Sequence, residues 1–244
     1  MRIAECDLFI FVGGESDKWV DDALKNGSSP DRVVLDLMEI LADRTVEEED
    51  LEGMEAEEEE EEEEGPEMDE HVWLSLTNAS CACGAIADAI CSLDPANAET
   101  YTDHAQAYRA ELEQLDGEYR SMVRAATRKV VLFADRFPFR YLTEDYGLSY
   151  YAAFRGCSAE TEASFSTVTF LAGKVDELGL DAVLTLEGSD QRIAGTIVEN
   201  TESKDQKILT VDSLQSSTLQ DVRDGKTYLS VMQANLEVFR EALG

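Results

Sequence analysis

Apolar and polar residues follow each other along this chain in a way that predicts repeated strands and helices. Residues 8–12 read Leu-Phe-Ile-Phe-Val and stop at Gly13-Gly14, which is typical of a buried parallel strand followed by a turn. Such runs alternate with stretches whose apolar residues recur every three or four positions, and this alternation predicts an α/β fold with mainly parallel sheets flanked by helices. The further predicted strands are 32–37, 129–133, 149–154, 182–186 and 207–211, and the predicted helices are 19–24, 79–93, 139–146, 165–178, 192–201 and 228–243.

The longest predicted element begins at Asp94-Pro95, an N-cap residue followed by a proline in the first helical turn. A helix over 95–127 would be about 50 Å long at a rise of about 1.5 Å per residue, which is more than one small lobe needs. The chain is long enough for one large domain or for two lobes, and this helix is a candidate link between two lobes. The predicted parts are an N-terminal lobe 1–94 with an acidic loop 43–70, the linking helix 95–127 and a C-terminal lobe 128–244.

The composition restricts the classes of partner. The 244 residues are 43% hydrophobic, and no apolar run approaches the roughly 20 residues of a membrane-spanning helix, so we expect no such helix. Lys and Arg number 20 against 53 Asp and Glu, and the net charge of −33 excludes nucleic acid as a partner because phosphate backbones would be repelled. Residues 43–70 hold 18 acidic residues and one basic residue, and residues 57–64 are all glutamate. Such a run cannot bury apolar surface, so this loop is predicted to be solvated.

The five cysteines argue against a disulfide-rich secreted domain. Their number is odd and three of them fall within 11 residues, a spacing that matches neither a disulfide framework nor a zinc ribbon. We therefore expect small, partly buried thiols at Cys81, Cys83 and Cys91. The chain also begins Met-Arg-Ile-Ala-Glu-Cys-Asp, without the apolar segment of a signal peptide. On composition alone the protein would be assigned to the cytosol.

Polar side chains stand where several predicted strands end, which is where ligands collect in parallel sheets. His71 adds a nitrogen donor just beyond the acidic loop. An N, O and S donor set suits a divalent transition metal. Strand-end carboxylates are also common as helix caps or ion-pair partners, and a lone histidine is often structural, so the spacing alone leaves both interpretations open. The candidate metal ligands are His71, Asp212, Glu187 and Cys157, with Asp135 and Arg136 at a further strand end.

No catalytic motif competes with a binding site. The sequence contains no G-x-S-x-G, no G-x-x-x-x-G-K and no G-x-G-x-x-G after a predicted strand. Only two histidines are available as general bases, and we expect His104, which stands between alanine and aspartate residues on the long helix, to lie at the surface. The sequence therefore predicts that the protein is not an enzyme.

Five sequence blocks together resemble the metal-binding substrate-binding proteins of bacterial ABC importers, in the zinc and manganese uptake class. The resemblance runs from residue 1 to residue 244 in the order of that family. It implies two α/β lobes joined by one rigid helix, with a divalent metal bound between them and handed to an ABC-type membrane permease. It also implies a monomer that is peripheral to the membrane, in the periplasm or at the cell surface. The blocks are 69–75 (DEHVWLS), 94–98 (DPANA), 135–142 (DRFPFRYL), 156–164 (GCSAETEAS) and 211–215 (VDSLQ).

The resemblance also implies roles for single residues. His71 falls at the second histidine ligand of the family and Asp212 at its carboxylate ligand, while Glu187 matches an acidic residue near the site. The first ligand histidine of the family would lie upstream of Met1, so we expect the chain to lack an N-terminal segment.

The third ligand position of the family departs from its pattern. It holds histidine in zinc-type members and glutamate in manganese-type members, but here it falls on Arg136, or on Asp135 if the register slips by one. Arginine cannot bind a cation. Cys157 could supply this ligand and would favour zinc over manganese, or Cys157 is a buried thiol beside the cleft and Arg136 pairs with Glu187. Zinc is the expected metal and manganese the alternative.

Two functions remain in play at this level. One is high-affinity capture of zinc and its delivery to the permease. The other is an acidic interaction protein that binds cations only weakly through its glutamate-rich loop. In many zinc importers the corresponding loop is rich in histidine; a glutamate-rich loop is predicted to be a solvated tether in preference to a cation-concentrating arm.

Overall fold

The computed structural model describes residue 3 and residues 6–25, 31–55, 67–158 and 162–244. The chain divides into two compact units. The first unit is Met1–Glu47 with Met68–Asp116, and the second unit is Glu48–Glu67 with Gly117–Gly244. The division falls inside the long helix, and most of the predicted acidic loop 43–70 belongs to the second unit.

The first unit holds two parallel strands paired from Leu8 opposite Val33 to Phe11 opposite Asp36, and it holds most of the predicted N-terminal elements. The α3 helix begins at Leu76, three residues earlier than predicted, because the Ser75 side chain accepts a hydrogen bond from the Asn78 backbone N–H and so caps the helix there. In chain order the elements are β1 (Leu8–Phe11), α1 (Trp19–Lys25), β2 (Val33–Asp36), α2 (Leu37–Ile40), α3 (Leu76–Leu93) and α4 (Ala98–Ala125), which continues into the second unit.

The predicted long helix is present as α4, which has 28 residues. It starts later than predicted because Pro95–Asn97 forms a separate 3-10 turn. The Asp94 carboxylate accepts hydrogen bonds from the Asn97 amide at 2.8 Å and from the Tyr101 hydroxyl at 2.7 Å. Asp94 thus ties the turn to the first residues of α4 through side chains.

Within the described residues, one helix is long and apolar enough to cross a membrane by length and composition alone. It is α3, although only Leu76, Asn78, Ala82 and Ala89 of this helix are buried. A single such helix is weak evidence, since core helices pass the same test. The predicted helix 79–93 lies within α3. No membrane-spanning helix was expected there because the apolar character of α3 comes largely from alanine and cysteine rather than from a run of large side chains.

The second unit is a four-stranded parallel sheet with helices around it, so the predicted α/β fold is confirmed. The strand order is β4-β3-β5-β6, and β5 is fully buried. The apolar core between the sheet and helices α6 and α7 includes Leu132, Leu171, Val183 and Ile197. The elements are β3 (Val130–Arg136), α5 (Arg140–Tyr146), β4 (Ser149–Phe154), α6 (Phe165–Leu178), β5 (Ala182–Leu186), α7 (Arg192–Glu199), β6 (Lys207–Val211), α8 (Leu219–Arg223) and α9 (Tyr228–Leu243).

Residues 48–55, here called the acidic strap, belong to the predicted acidic loop and pair with basic side chains of the second unit. Glu49 forms an ion pair with Arg140 at 2.8 Å, and Asp50 pairs with Arg155. Glu55 accepts hydrogen bonds from the Ser164 backbone N–H and from the Thr167 hydroxyl. The strap therefore packs against other parts of the second unit, to which it belongs. Two arginines that are distant in sequence thus pair with two of the five acidic side chains of this segment. The glutamates at 57–64 lie outside the described residues.

Candidate metal centre

His71 is buried in the first unit and is oriented by Asp69. One carboxylate oxygen of Asp69 accepts a hydrogen bond from the His71 backbone N–H at 2.8 Å and lies 3.1 Å from the ring Nδ1. Both residues are buried, since His71 is 1% exposed and Asp69 is 2% exposed. A carboxylate oxygen accepts this contact, so in the neutral imidazole Nδ1 is the donor. This arrangement is the usual support of a metal-binding histidine.

The backbone around His71 is held from both sides. The Asp69 N–H donates to the Val46 carbonyl at 2.9 Å, next to an antiparallel bridge between Glu47 and Met68. The His71 ring lies 5.3 Å from the Trp73 ring, centroid to centroid. The position of His71 in the first unit is therefore fixed by main-chain and aromatic contacts.

Glu70 links the histidine segment to the end of β1. Its carboxylate accepts a hydrogen bond from the Ser16 backbone N–H at 2.9 Å. Gly14 has a φ of 80°, and a Cβ added there would lie 2.4 Å from a Glu70 carboxylate oxygen. Only glycine allows this backbone to come so close to the carboxylate.

Asp212 lies at the carboxyl end of β6 in the second unit, and its backbone is fixed by a buried amide. The Asn235 side chain accepts from the Asp212 N–H at 2.9 Å and donates to its carbonyl at 2.8 Å. One carboxylate oxygen of Asp212 accepts the Leu214 N–H at 2.8 Å, and the other lies 2.7 Å from Lys226 Nζ. The hydrogen bond to Asp212 is the main reason that the pKa of Lys226 is raised above its ordinary value.

Glu187 follows β5 and holds the loop that follows Asp212. Its carboxylate accepts from the Ser213 N–H at 2.8 Å, from the Ser213 hydroxyl at 2.7 Å and from the Ser216 N–H at 3.4 Å. Leu214, between them, has a φ of 67°, an unusual left-handed conformation for a residue with a side chain. Both oxygens of Glu187 thus serve to shape this loop.

The remaining strand-end residues fall into two environments. Arg136 is exposed and lines a cavity of about 220 Å³ together with Glu187 and Ser213. Asp135 accepts the Leu186 N–H at 3.3 Å. Cys157 is exposed, forms no disulfide and is absent from the lining of that cavity, while its backbone N–H donates to Glu48 at 3.3 Å.

The structure places the four predicted ligands in two units: His71 in the first, and Asp212, Glu187 and Cys157 in the second. Across the ranges 6–25, 31–55, 67–158 and 162–244, no group of three or more His, Cys, Asp and Glu side chains is arranged to hold a metal ion. The complete ligand set therefore stays a prediction.

Sequence reasoning missed Asp69, Lys226 and Asn235. Asp69 could have been found, because a carboxylate two residues before a candidate ligand histidine is well placed to orient it. Nothing in the sequence near Lys226 or Asn235 connects them with Asp212, since their contacts depend on the packing of the segments that follow β6.

Comparisons with known proteins agree on one family. The family profile described as zinc-uptake complex component A, periplasmic, matches residues 1–242. The high-affinity zinc uptake system protein ZnuA of Bacillus subtilis is 30% identical over 248 residues, which cover 99% of this chain and 73% of that protein. Streptococcal zinc-binding AdcA proteins are also similar, and the matched region covers between 34% and 47% of their length.

Solved structures share the fold over nearly the whole chain. The metal-dependent lipoprotein YcdH of Bacillus subtilis superposes with a TM-score of 0.78 at 24% identity, covering 99% of this chain and 82% of that one. The Zn(II)-bound ZnuA-like domain of Streptococcus pneumoniae AdcA gives a TM-score of 0.73 at 25% identity, covering 99% and 81%. The two-lobe α/β architecture expected from the sequence is the architecture of these proteins.

Proposed function

The chain belongs to the ZnuA family of periplasmic zinc-uptake components, and from this premise we propose that it captures a zinc ion with high affinity and delivers it to an ABC-type permease. The family consists of substrate-binding transport proteins rather than enzymes. The observation that carries the proposal is the buried Asp69–His71 pair, a carboxylate–histidine contact of the kind that supports metal-binding histidines.

We propose His71 and Asp212 as two ligands, and Cys157 as a third. Glu187 was part of the predicted set, but its oxygens accept three hydrogen bonds from the 213–216 loop. Its proposed role is therefore to position Asp212. Imidazole and thiolate donors favour zinc, whereas manganese prefers oxygen donors, so manganese is the weaker alternative.

The proposed partners and compartment follow the family. The permease would receive the ion from a monomeric protein that acts in the periplasm or at the cell surface, peripheral to the membrane. The alternative is an acidic interaction protein that binds cations weakly through its glutamate-rich loop, whose residues 57–64 lie outside the described residues. In the acidic strap, Glu49 and Asp50 pair with arginines, which makes these two carboxylates poor sites for free cations.

The deciding experiment is a competitive titration of the purified chain with zinc and then manganese at neutral pH. The proposal expects one tight zinc site that is lost in His71→Ala and in Asp212→Ala. A variant lacking residues 57–64 is the matched control and should keep that site. Many weak sites that disappear with residues 57–64 would instead support the acidic interaction protein.

A further inference from the structure

Lys226 forms an ion pair with Asp212, the carboxylate that is proposed as a zinc ligand. Its Nζ lies 2.7 Å from Asp212, and the two side chains are 25% and 27% exposed. The other Asp212 oxygen is held by the Leu214 N–H at 2.8 Å. Both oxygens of the proposed ligand therefore already have donors.

Lys226 is set in this position by its own backbone. Its N–H donates to the Asp221 carbonyl at 2.9 Å in the turn that follows α8. Besides Asp212, the carboxylates of Asp221 and Glu187 act on its charge. The ammonium group thus serves as the counter-ion of a local group of three acidic side chains.

A divalent ion and an ammonium group compete for one carboxylate. A zinc–oxygen bond of about 2.0–2.2 Å would bring two positive centres onto the same carboxylate, where they repel each other in a partly desolvated site. We propose that Lys226 is a resident counter-ion that neutralises Asp212 in the empty protein, and that zinc loading displaces its ammonium group into water. This inference rests on the proposed function and adds a residue that sets the affinity and selectivity of the site.

The displacement has two opposite consequences. Lys226 weakens zinc binding, because part of the binding free energy is used to break the ion pair. It also stabilises the empty protein, because its removal takes the ion-pair partner away from Asp212. A monovalent ion interacts less strongly with the Asp212 carboxylate than a divalent ion does, and this interaction does not offset the loss of the ion pair. Lys226 therefore favours the binding of divalent ions.

Two measurements test the exchange. The first is the zinc dissociation constant, obtained by chelator competition, for the wild type, Lys226→Met and Lys207→Met. Lys207 pairs with Glu241 at 2.6 Å at the opposite end of β6, so its variant makes the same charge change away from Asp212. We expect Lys226→Met to bind zinc about three- to tenfold more tightly and the empty variant to melt at a lower temperature, while Lys207→Met changes zinc affinity by less than about twofold.

The second measurement is acetylation of lysine amines by a small reagent, read by mass spectrometry. Lys226 should react slowly in the empty protein and faster with zinc, while Lys207 reacts equally in both. Unchanged Lys226 reactivity, or equal zinc affinity in Lys226→Met and the wild type, would overturn the inference.

Asp212→Ala separates this result from the proposed function. If wild-type protein binds zinc tightly and Asp212→Ala does not, the proposed function stands whatever Lys226 does. Tight binding that appears only in Lys226→Met would support the counter-ion role. If neither the wild type nor Lys226→Met binds zinc tightly, both the inference and the proposed function fail.

Discussion

A single carboxylate oxygen of Asp69 binds His71 twice, through the backbone N–H at 2.8 Å and through Nδ1 at 3.1 Å. The first contact fixes where the residue lies, and the second fixes which ring nitrogen carries the proton. One buried side chain thus sets both the backbone position and the tautomer of His71, and the proposed ligand role of His71 would depend on a residue that does not itself touch the ion.

We expect Asp69→Asn to weaken zinc binding by about 10- to 100-fold while the protein stays folded. The asparagine oxygen can still accept the backbone N–H, but the neutral amide no longer holds a proton on Nδ1 as strongly. Isothermal titration at neutral pH measures the change, and Asp103→Asn on the exposed face of α4 is the control. Zinc affinity equal to that of the wild type would show that Asp69 has only a structural role.

Replacing Glu187 separates positioning from metal ligation. Glu187→Gln places an amide NH2 among three hydrogen-bond donors, so the loop at 213–216 should loosen and zinc affinity should fall by about tenfold. One ion should still bind, with unchanged coordination in X-ray absorption spectra of the zinc-loaded protein. Loss of one oxygen ligand from those spectra would instead make Glu187 a ligand.

Asn235 is expected to matter through the backbone of Asp212. It is 2% exposed and makes both an accepting and a donating hydrogen bond to that residue. Asn235→Ala leaves a partly buried N–H and a partly buried carbonyl of Asp212 without these partners, which should lower the free energy of unfolding by about 1–3 kcal/mol. Urea denaturation measures the loss. Gln233→Ala, an exposed neighbour on α9, should change it little, and equal effects of the two variants would contradict the assigned role.

The sequence was most informative where burial is complete and least informative where charges meet across long separations. The predicted range 182–186 coincides with β5 because all five residues are buried, so apolar character alone defines the strand. The predicted helix 192–201 ends two residues too late, since polar residues at a helix end carry little periodic signal. The ion pairs Glu49–Arg140 and Lys226–Asp212 depend on tertiary packing, and no local sequence pattern predicts them.

The ion pairs of the acidic strap could not be predicted from the sequence for the same reason. High local charge predicts solvation when only neighbours in sequence are considered. Here Arg140 and Arg155 lie roughly 90 to 105 residues away in sequence, a separation at which sequence pattern carries no information on pairing. The candidate ligands were found from their donor chemistry, their places near strand ends and the resemblance to a family, whereas the residues that support them required the structure.

Glu55 should give the strap a pH-dependent contribution to stability. The hydrogen bond from the Ser164 backbone N–H is the main reason that the pKa of Glu55 lies below its usual 4.5. A lowered pKa in the folded state means that Glu55 stabilises the fold above pH 4.5, and that this contribution is lost as the pH falls through the folded pKa.

The corresponding variant is Glu55→Ala. At neutral pH it should destabilise the second unit by about 1 kcal/mol, since water screens this site and reduces the effect. It should also speed amide hydrogen exchange at residues 164–167. The difference from the wild type should shrink below pH 4.5. Glu144→Ala, at an exposed position of α5, is the control, and a Glu55 effect independent of pH would contradict a role for its charge.

Cys157 provides the sharpest test of the ligand set. Cobalt(II) substituted for zinc should give a near-ultraviolet sulfur-to-metal charge-transfer band if the thiolate binds the ion, because only a direct cobalt–sulfur bond produces that transition. We expect the band in the wild type, its loss in Cys157→Ser and its retention in Cys81→Ser, which carries the same change in the first unit. Zinc affinity should fall by about 10- to 100-fold in Cys157→Ser alone, as a hydroxyl is a much poorer ligand for zinc. A wild-type spectrum without the band, together with unchanged zinc affinity in Cys157→Ser, would remove Cys157 from the site and leave the third ligand to another residue.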